Sequence, residues 1–202
     1  MLTLLLTFFI LFFSFSEVDQ TKFEQIKSAI SGDFLKKEPV KPFSEINKEL
    51  EEIVQEQNLQ DVLTLRHNNL GVQIELASSS LYEIGSAEIR TKMVPVIEDV
   101  GRAVTRLQVE DYVVDVEGHT DDIPIKSARY ESNWELSAHR ATNVVKKMVA
   151  VGIPKDRIKA TAMADSRPKA RNRDAQGNAI PENQEKNRRV VVYVRRAGGF
   201  EN

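Results

Sequence analysis

The first sixteen residues, Met1 to Ser16 (MLTLLLTFFILFFSFS), carry no charge. Their only polar groups are hydroxyls, which can bond back to the preceding turn of a helix. A helix of this length is about 24 Å long at about 1.5 Å per residue, whereas a bilayer core is about 30 Å thick and takes about 20 residues. The segment is too apolar for a water-facing surface and slightly too short to span. A cleaved signal peptide fits the composition, but such peptides open on Lys or Arg, and the first basic residue is Lys22. No small-x-small cleavage site follows. A buried core helix would need wrapping on every side, which a small domain seldom provides. A transmembrane helix lacking its first turn or two accounts for both the short length and the missing basic flank, and is the expectation adopted.

The chain turns polar at Glu17. Phe23, Ile26, Ile30 and Phe34 then recur at helical spacing, which predicts a short amphipathic helix ending near Gly32, lying on the membrane surface or against a partner. Pro39 and Pro42 mark a linker over Gly32 to Pro42. Ser44 to Gln57 places Ile46, Leu50 and Ile53 on one face, as for a helix that packs on the domain after it. The expected organisation is a transmembrane helix over 1–16, an amphipathic helix and linker over 17–60, and a folded domain over 61–196.

The 202 residues allow one domain of ordinary size plus a tether, or two small domains. Hydrophobic residues make up 41%, enough for a core, and the net charge of −2 gives no general drive toward nucleic acid. The absence of cysteine excludes disulfides, a thiolate metal site, a cysteine nucleophile and a lipidated N-terminal cysteine. It fits either the cytoplasm or the periplasm.

Within the domain, Val62 to Arg66 and Val72 to Leu76 read as short strands around the turn Asn68-Asn69-Leu70-Gly71. Gly85-Ser86-Ala87 opens a helical stretch whose main helix is expected to start near Pro95 and run to about Leu107. Tyr112 to Glu117 reads as a strand ended by Gly118. Ser132 to Val151 carries the clearest helical signal, with Ser132-Asn133-Trp134-Glu135 as a capping box, Ala141, Val144, Val145 and Met148 on the inner face, and Gly152 as the stop. Arg157 to Ala162 and Arg189 to Arg195 are further strands, the last apolar on both faces as in a central strand. Strands alternating with helices predict an α/β sandwich, one mixed sheet with helices packed on it.

Chemistry concentrates between the Tyr112 strand and the Ser132 helix. Asp121 is expected at the carboxyl end of a strand, where α/β folds place ligands. Arg140 lies two turns into the next helix, so its side chain can lean back toward the same end. A carboxylate and a guanidinium facing one cavity suit a zwitterion, the first accepting from an ammonium group and the second holding a carboxylate through two parallel bonds. An internal Asp121–Arg140 salt bridge that orders the loop fits the residues equally well. Enzyme readings are weaker. Asp121 and Asp122 are adjacent and point apart on an extended chain. His119 and His139 lack the spacing of a helical zinc pair, and Ser137 has no nucleophile-elbow glycines. Each histidine fits a hydrogen-bonded structural role, and no Gly-rich phosphate loop occurs. The pairs Arg188-Arg189 and Arg195-Arg196 fit solvated strand ends.

Gly118-His119-Thr120-Asp121, Leu136-Ser137-x-x-Arg140-Ala141 and Asn187-Arg188-Arg189-Val190, in that order, resemble the OmpA/MotB-type C-terminal domain. Gly85-Ser86-Ala87-Glu88, Gly152-Ile153 and Arg157-Ile158 fit it too, and the likeness covers about Leu81 to Val194. The resemblance implies binding of the diaminopimelate residue in the stem peptide of peptidoglycan, without catalysis or cofactor. By resemblance Asp121 and Arg140 hold that zwitterion, Asn133 is a further contact, and Thr120 and Arg188 are additional candidates.

The loop from Asp122-Ile123-Pro124 to Tyr130-Glu131-Ser132, followed by Asn133-Trp134-Glu135-Leu136-Ser137, resembles the flagellar stator B subunits of the MotB/PomB type. So do Leu4-Leu5-Leu6-Thr7-Phe8-Phe9 and Ser14-Phe15-Ser16-Glu17-Val18-Asp19. This implies an inner-membrane protein with one membrane pass, a periplasmic C-terminal domain, an A-subunit membrane partner and pairing of two B subunits, with Phe23 to Phe34 as the plug of the ion path. One departure stands out. In those stators the ion-binding aspartate lies just ahead of the residues matching Leu2 onward, and this chain starts at Met1 without it. A misplaced start or a fragment is expected, and as written the chain should not conduct ions. A plain cell-envelope anchor and a peptidoglycan hydrolase are the competing functions.

Overall fold

The computed structural model describes residues 42–68, 71–107, 109 and 111–197, all within one compact unit, Pro42–Asn202. The expected transmembrane helix over 1–16 and the amphipathic helix that follows it lie outside the described residues.

Helix α1 (Pro42–Glu56) leads into strand β1 (Leu63–Asn68), strand β2 (Gly71–Ala77) and the single turn α2 (Ser78–Leu81). A 3-10 turn at Thr91–Met93 precedes α3 (Val94–Thr105), then come β3 (Tyr112–His119) and α4 (Asn133–Ala150). After a second 3-10 turn, β4 (Ile158–Ala164), α5 (Pro181–Asn187) and β5 (Arg189–Arg196) complete the unit. The five strands form one mixed sheet in the order β1-β2-β5-β3-β4. Only β3 and β4 pair parallel, and α4 is their crossover; the other neighbours are antiparallel. The architecture is the expected α/β sandwich.

Alternation along the strands sorts the two faces. Val72, Ile74 and Leu76 of β2, Val190, Val192 and Val194 of β5, and Val114 and Val116 of β3 are buried in one core. Phe43, Ile46 and Leu50 of α1, Ile97 and Val100 of α3, and Ala141, Val144 and Met148 of α4 close over it. Helix α1 thus packs on the domain through the stripe read from its sequence, and β5 is central, between β2 and β3. Pro95 sits at the start of α3, where a missing N–H leaves no bond unmade.

Two local expectations differ from the structure. Gly118 does not end its strand: β3 continues to His119. A Cβ at Gly118 would lie 2.2 Å from the Ser137 carbonyl oxygen, so the bare glycine lets the first turns of α4 lie directly on the strand. Residues from Gly85 to Arg90 form a loop with an isolated bridge from Tyr82 to Ile89, and Gly85 takes a φ of +67°. Two short helices, α2 and α5, carry too little periodicity to be read from sequence.

Candidate ligand-binding cleft

The carboxyl ends of β3 and β4 are bolted to the head of α4. The Thr120 N–H donates to the Ala164 carbonyl at 2.8 Å, the Ala164 N–H donates to the Ser137 hydroxyl at 3.2 Å, and that hydroxyl donates to the Trp134 carbonyl at 3.0 Å. Ala164 holds a φ of +46°, a left-handed conformation that costs a residue with a Cβ and is kept here by bonds on both sides. Ser137 is therefore a buried structural hydroxyl. Ser132 caps α4 by accepting the Trp134 N–H at 3.2 Å.

Beyond that junction the chain turns through Asp121, and Asn133 fixes the turn. Its amide donates to the Asp121 carbonyl at 3.2 Å and the Ile123 carbonyl at 3.0 Å, and its oxygen accepts the Ile125 N–H at 3.2 Å. The Thr120 hydroxyl donates to the Asp121 carbonyl at 2.9 Å. Thr120 and Asn133 thus both act on the backbone that carries Asp121.

This turn, α2 with the loop after it, the head of α4 and the end of α5 enclose a cleft of about 520 Å³. Asp121, Asn133, Thr120, Arg140 and Arg188, all singled out from sequence, line it together. Asp121 is 6% exposed. One carboxylate oxygen accepts the Ile123 N–H at 3.2 Å and the other accepts Nη1 of Arg188 at 2.5 Å. Nη2 of Arg188 bonds Glu185, one turn earlier on α5. Burial works against the Arg188 charge, but the bonds to Asp121 and Glu185 outweigh it and raise its affinity for the proton. Bonds from Ser79 and Arg188 hold the Glu185 carboxyl below its usual range against partial burial.

Arg140 is held differently. It is 4% exposed, its Nε donates to the Ser86 carbonyl at 2.9 Å, and its guanidinium lies 4.9 Å from the centre of the Tyr82 ring. The Tyr82 hydroxyl donates to the Arg140 carbonyl at 3.0 Å, so one tyrosine supports both the backbone and the head of this residue. Among the described residues no carboxylate forms an ion pair with Arg140, and the alternative Asp121–Arg140 salt bridge is not made. Burial lowers its pKa, and the neighbouring charge of Arg188 adds to that, against raising contributions from Tyr82, Tyr130 and Asp121. A guanidinium keeps its charge under these conditions. The cleft therefore holds a buried, rigidly held cation short of a counter-charge.

Tyr82 and Glu185 escaped sequence reasoning. Tyr82 lies 58 positions from Arg140 and nothing local marks it. Glu185 had a signal, its spacing of three from Arg188. Arg188 is half of an ion pair in the cleft rather than a solvated strand end.

The other polar residues singled out from sequence have partners or lie elsewhere, though Nδ1 of the buried His119 has none among the described residues. Asp122 accepts from Arg173 at 2.6 Å and Gln184 at 2.8 Å, well apart in role from Asp121. His119 is 1% exposed and its Nε2 lies 3.0 Å from Glu117. His139 contacts the Glu135 carbonyl and packs edge-on against Tyr130. A second cleft, about 450 Å³, opens on the sheet face away from the helices. Its carboxylates are already matched: Asp115 with Lys159 and Thr161, Glu117 with His119.

The family described as the OmpA family matches residues 81–184, and "Membrane MotB of proton-channel complex MotA/MotB" matches residues 1–34. Motility protein B of Bacillus subtilis (strain 168) is 25% identical over 99% of this chain and 89% of its own length. The periplasmic domain of Helicobacter pylori MotB superposes with a TM-score of 0.58 at 26% identity, over 67% of this chain and 83% of that one. The cell wall anchor of the type VI secretion system (T6SS) of Pseudomonas aeruginosa superposes with a TM-score of 0.63 at 26% identity, over 75% of this chain and 99% of that one. With a family match over residues 81–184 of its 202, the chain belongs to the OmpA family, as a MotB-like member.

Proposed function

We propose that the cleft binds the diaminopimelate residue of a peptidoglycan stem peptide and that the chain is the non-enzymatic cell-wall anchor of a flagellar motor stator. The observation that carries this is Arg140: a buried guanidinium, held by Ser86 and Tyr82, with no paired carboxylate among the described residues. Such a charge is costly unless something anionic arrives to meet it. Asp121 beside it supplies the acceptor for an ammonium group, so the pair matches the free end of diaminopimelate, which carries both charges on one carbon.

The MotB-like regions at both ends of the chain support the stator reading. In that role the chain is an inner-membrane protein with one pass over 1–16, a plug-like segment and linker ahead of Pro42, and a periplasmic domain that begins with α1. It pairs with a second copy and with an A-subunit membrane partner, and the assembly couples ion flow to rotation. A cell-envelope anchor without a motor role is favoured by one observation, the equally similar cell wall anchor of a secretion system.

Co-sedimentation of the full chain with purified sacculi tests the binding. Asp121→Ala and Arg140→Ala should each lose at least about tenfold in affinity, since truncating one side of a buried charge contact costs about 2–5 kcal/mol. If both sediment as well as the parent, the cleft is not the site. Assembly with a stator A subunit, or its failure, separates motor from plain anchor.

A further inference from the structure

We propose that Arg188 is a specificity-determining residue of the cleft. Before a ligand arrives it stands on Asp121 where the ligand's ammonium group would go, and it thereby restricts binding to ligands that bring a carboxylate with the ammonium. The proposal rests on the reading of the cleft as a seat for a zwitterion.

The two arginines are built for different tasks. Arg140 is pinned at its Nε by Ser86 and under its face by Tyr82. Arg188 is one-third exposed and, among the described residues, its guanidinium is held by two carboxylates, Asp121 on Nη1 and Glu185 on Nη2. It can give up Asp121 and stay tethered to Glu185, with Nη1 turned into the cleft. The guanidiniums are close enough for the charge of Arg188 to disfavour that of Arg140.

Charge accounting then decides which ligands fit. An incoming ammonium takes the oxygen of Asp121 that Arg188 held and leaves Nη1 without a partner beside Arg140. A ligand that also carries a carboxylate neutralises both guanidiniums at once, and every charge is again matched. A ligand with an ammonium alone, such as a lysine side chain, leaves two cations facing each other, the buried Arg140 and the part-exposed Arg188. Rejection through a group left unpaired discriminates more sharply than the lost contact alone. Glutamine at 188 would leave no cation to displace, so an ammonium could enter without that penalty.

The test is calorimetric titration of the full chain in detergent with two stem tripeptides, one ending in diaminopimelate and the other in lysine. The parent should prefer the diaminopimelate peptide by about tenfold or more, the ratio set by about 1.4 kcal/mol. Arg188→Gln should narrow that ratio by about threefold or more by gaining affinity for the lysine peptide, the preference that remains coming from Arg140. A parallel loss for both peptides, with the ratio kept, makes Arg188 a plain contact and overturns the proposal while the cleft reading stands. A parent that binds neither peptide overturns both. Because Arg188→Gln leaves Asp121 without its cation and could unfold the cleft, the parent offers an independent readout in the arginine side-chain resonances. Those of Arg188 should move on saturation with the diaminopimelate peptide. Movement at Arg140 with Arg188 unmoved rejects the exchange.

Discussion

Nη1 of Arg188 lies 2.5 Å from a carboxylate oxygen of Asp121, across 67 positions of sequence. The sheet dictates this meeting. Strands β3 and β5 run antiparallel with His119 opposite Arg189, so the residue just before β5 falls beside the loop just after β3. Asp121 and Arg188 are therefore neighbours by register. Arg140 reaches the same cleft from α4 and is held by a carbonyl and an aromatic ring instead of a carboxylate. The two arginines should respond in opposite ways to removal of their charge.

Arg140→Met keeps the length of the side chain and removes a buried charge that has no paired carboxylate, so stability should hold or rise while sacculus binding falls. Arg188→Met leaves the buried Asp121 carboxylate without its cation and should lose about 1–3 kcal/mol, the cost of an unsatisfied buried group. Urea unfolding of the two variants decides it. A large loss for Arg140→Met would mean that the charge is matched in solution by a partner other than ligand.

Much of this was legible in the sequence, and what was not has a physical reason. Helix α4 announced itself through the Ser132 cap and the stripe ending at Met148, and β5 through its unbroken run of valines, because both signals are local. The order β1-β2-β5-β3-β4 is not local, and the Asp121–Arg188 pair depends on it. The same holds for Tyr82, whose ring matters only because α2 comes to rest beside α4. Gly118 suggests a strand stop in the sequence, since glycine is a weak strand former, whereas its lack of a side chain serves the contact with Ser137.

Gly118→Ala puts a methyl carbon 2.2 Å from the Ser137 carbonyl oxygen, which belongs to the backbone of α4 and cannot turn aside. Helix and strand must separate, at a cost of about 1–3 kcal/mol or more for an overpacked contact. The displacement would carry Arg140 with it, so binding to sacculi should fall alongside the melting temperature. An unchanged melting temperature would show that the helix does not lie on the strand this closely.

Asn133→Ala removes three bonds to the loop carrying Asp121 while leaving the Ser132 cap of α4 in place. The loss should be about 1–3 kcal/mol, at about 1 kcal/mol per bond. Its signature is faster hydrogen exchange at the Ile123 and Ile125 amides with α4 still protected. Exchange that rises over α4 to the same degree would place the role of Asn133 in the helix instead of the loop.

The Asp122 carboxyl gives the domain an acid-sensitive tether beside the cleft. Burial pushes its pKa up, but the bonds from Gln184 on α5 and from Arg173 outweigh this and hold it below the usual carboxylate range. A carboxyl with a lower pKa in the folded state than in the unfolded chain contributes stability that is complete above the unfolded value, about 3.9, and is lost as pH falls through the folded one. Asp122→Asn should therefore be less stable than the parent at neutral pH, and the gap should close on acidification below about pH 4. Urea midpoints of parent and variant across that range measure it directly. A gap that stays constant down to low pH would mean that Asp122 contributes through its shape and hydrogen bonds alone, with no part played by its charge.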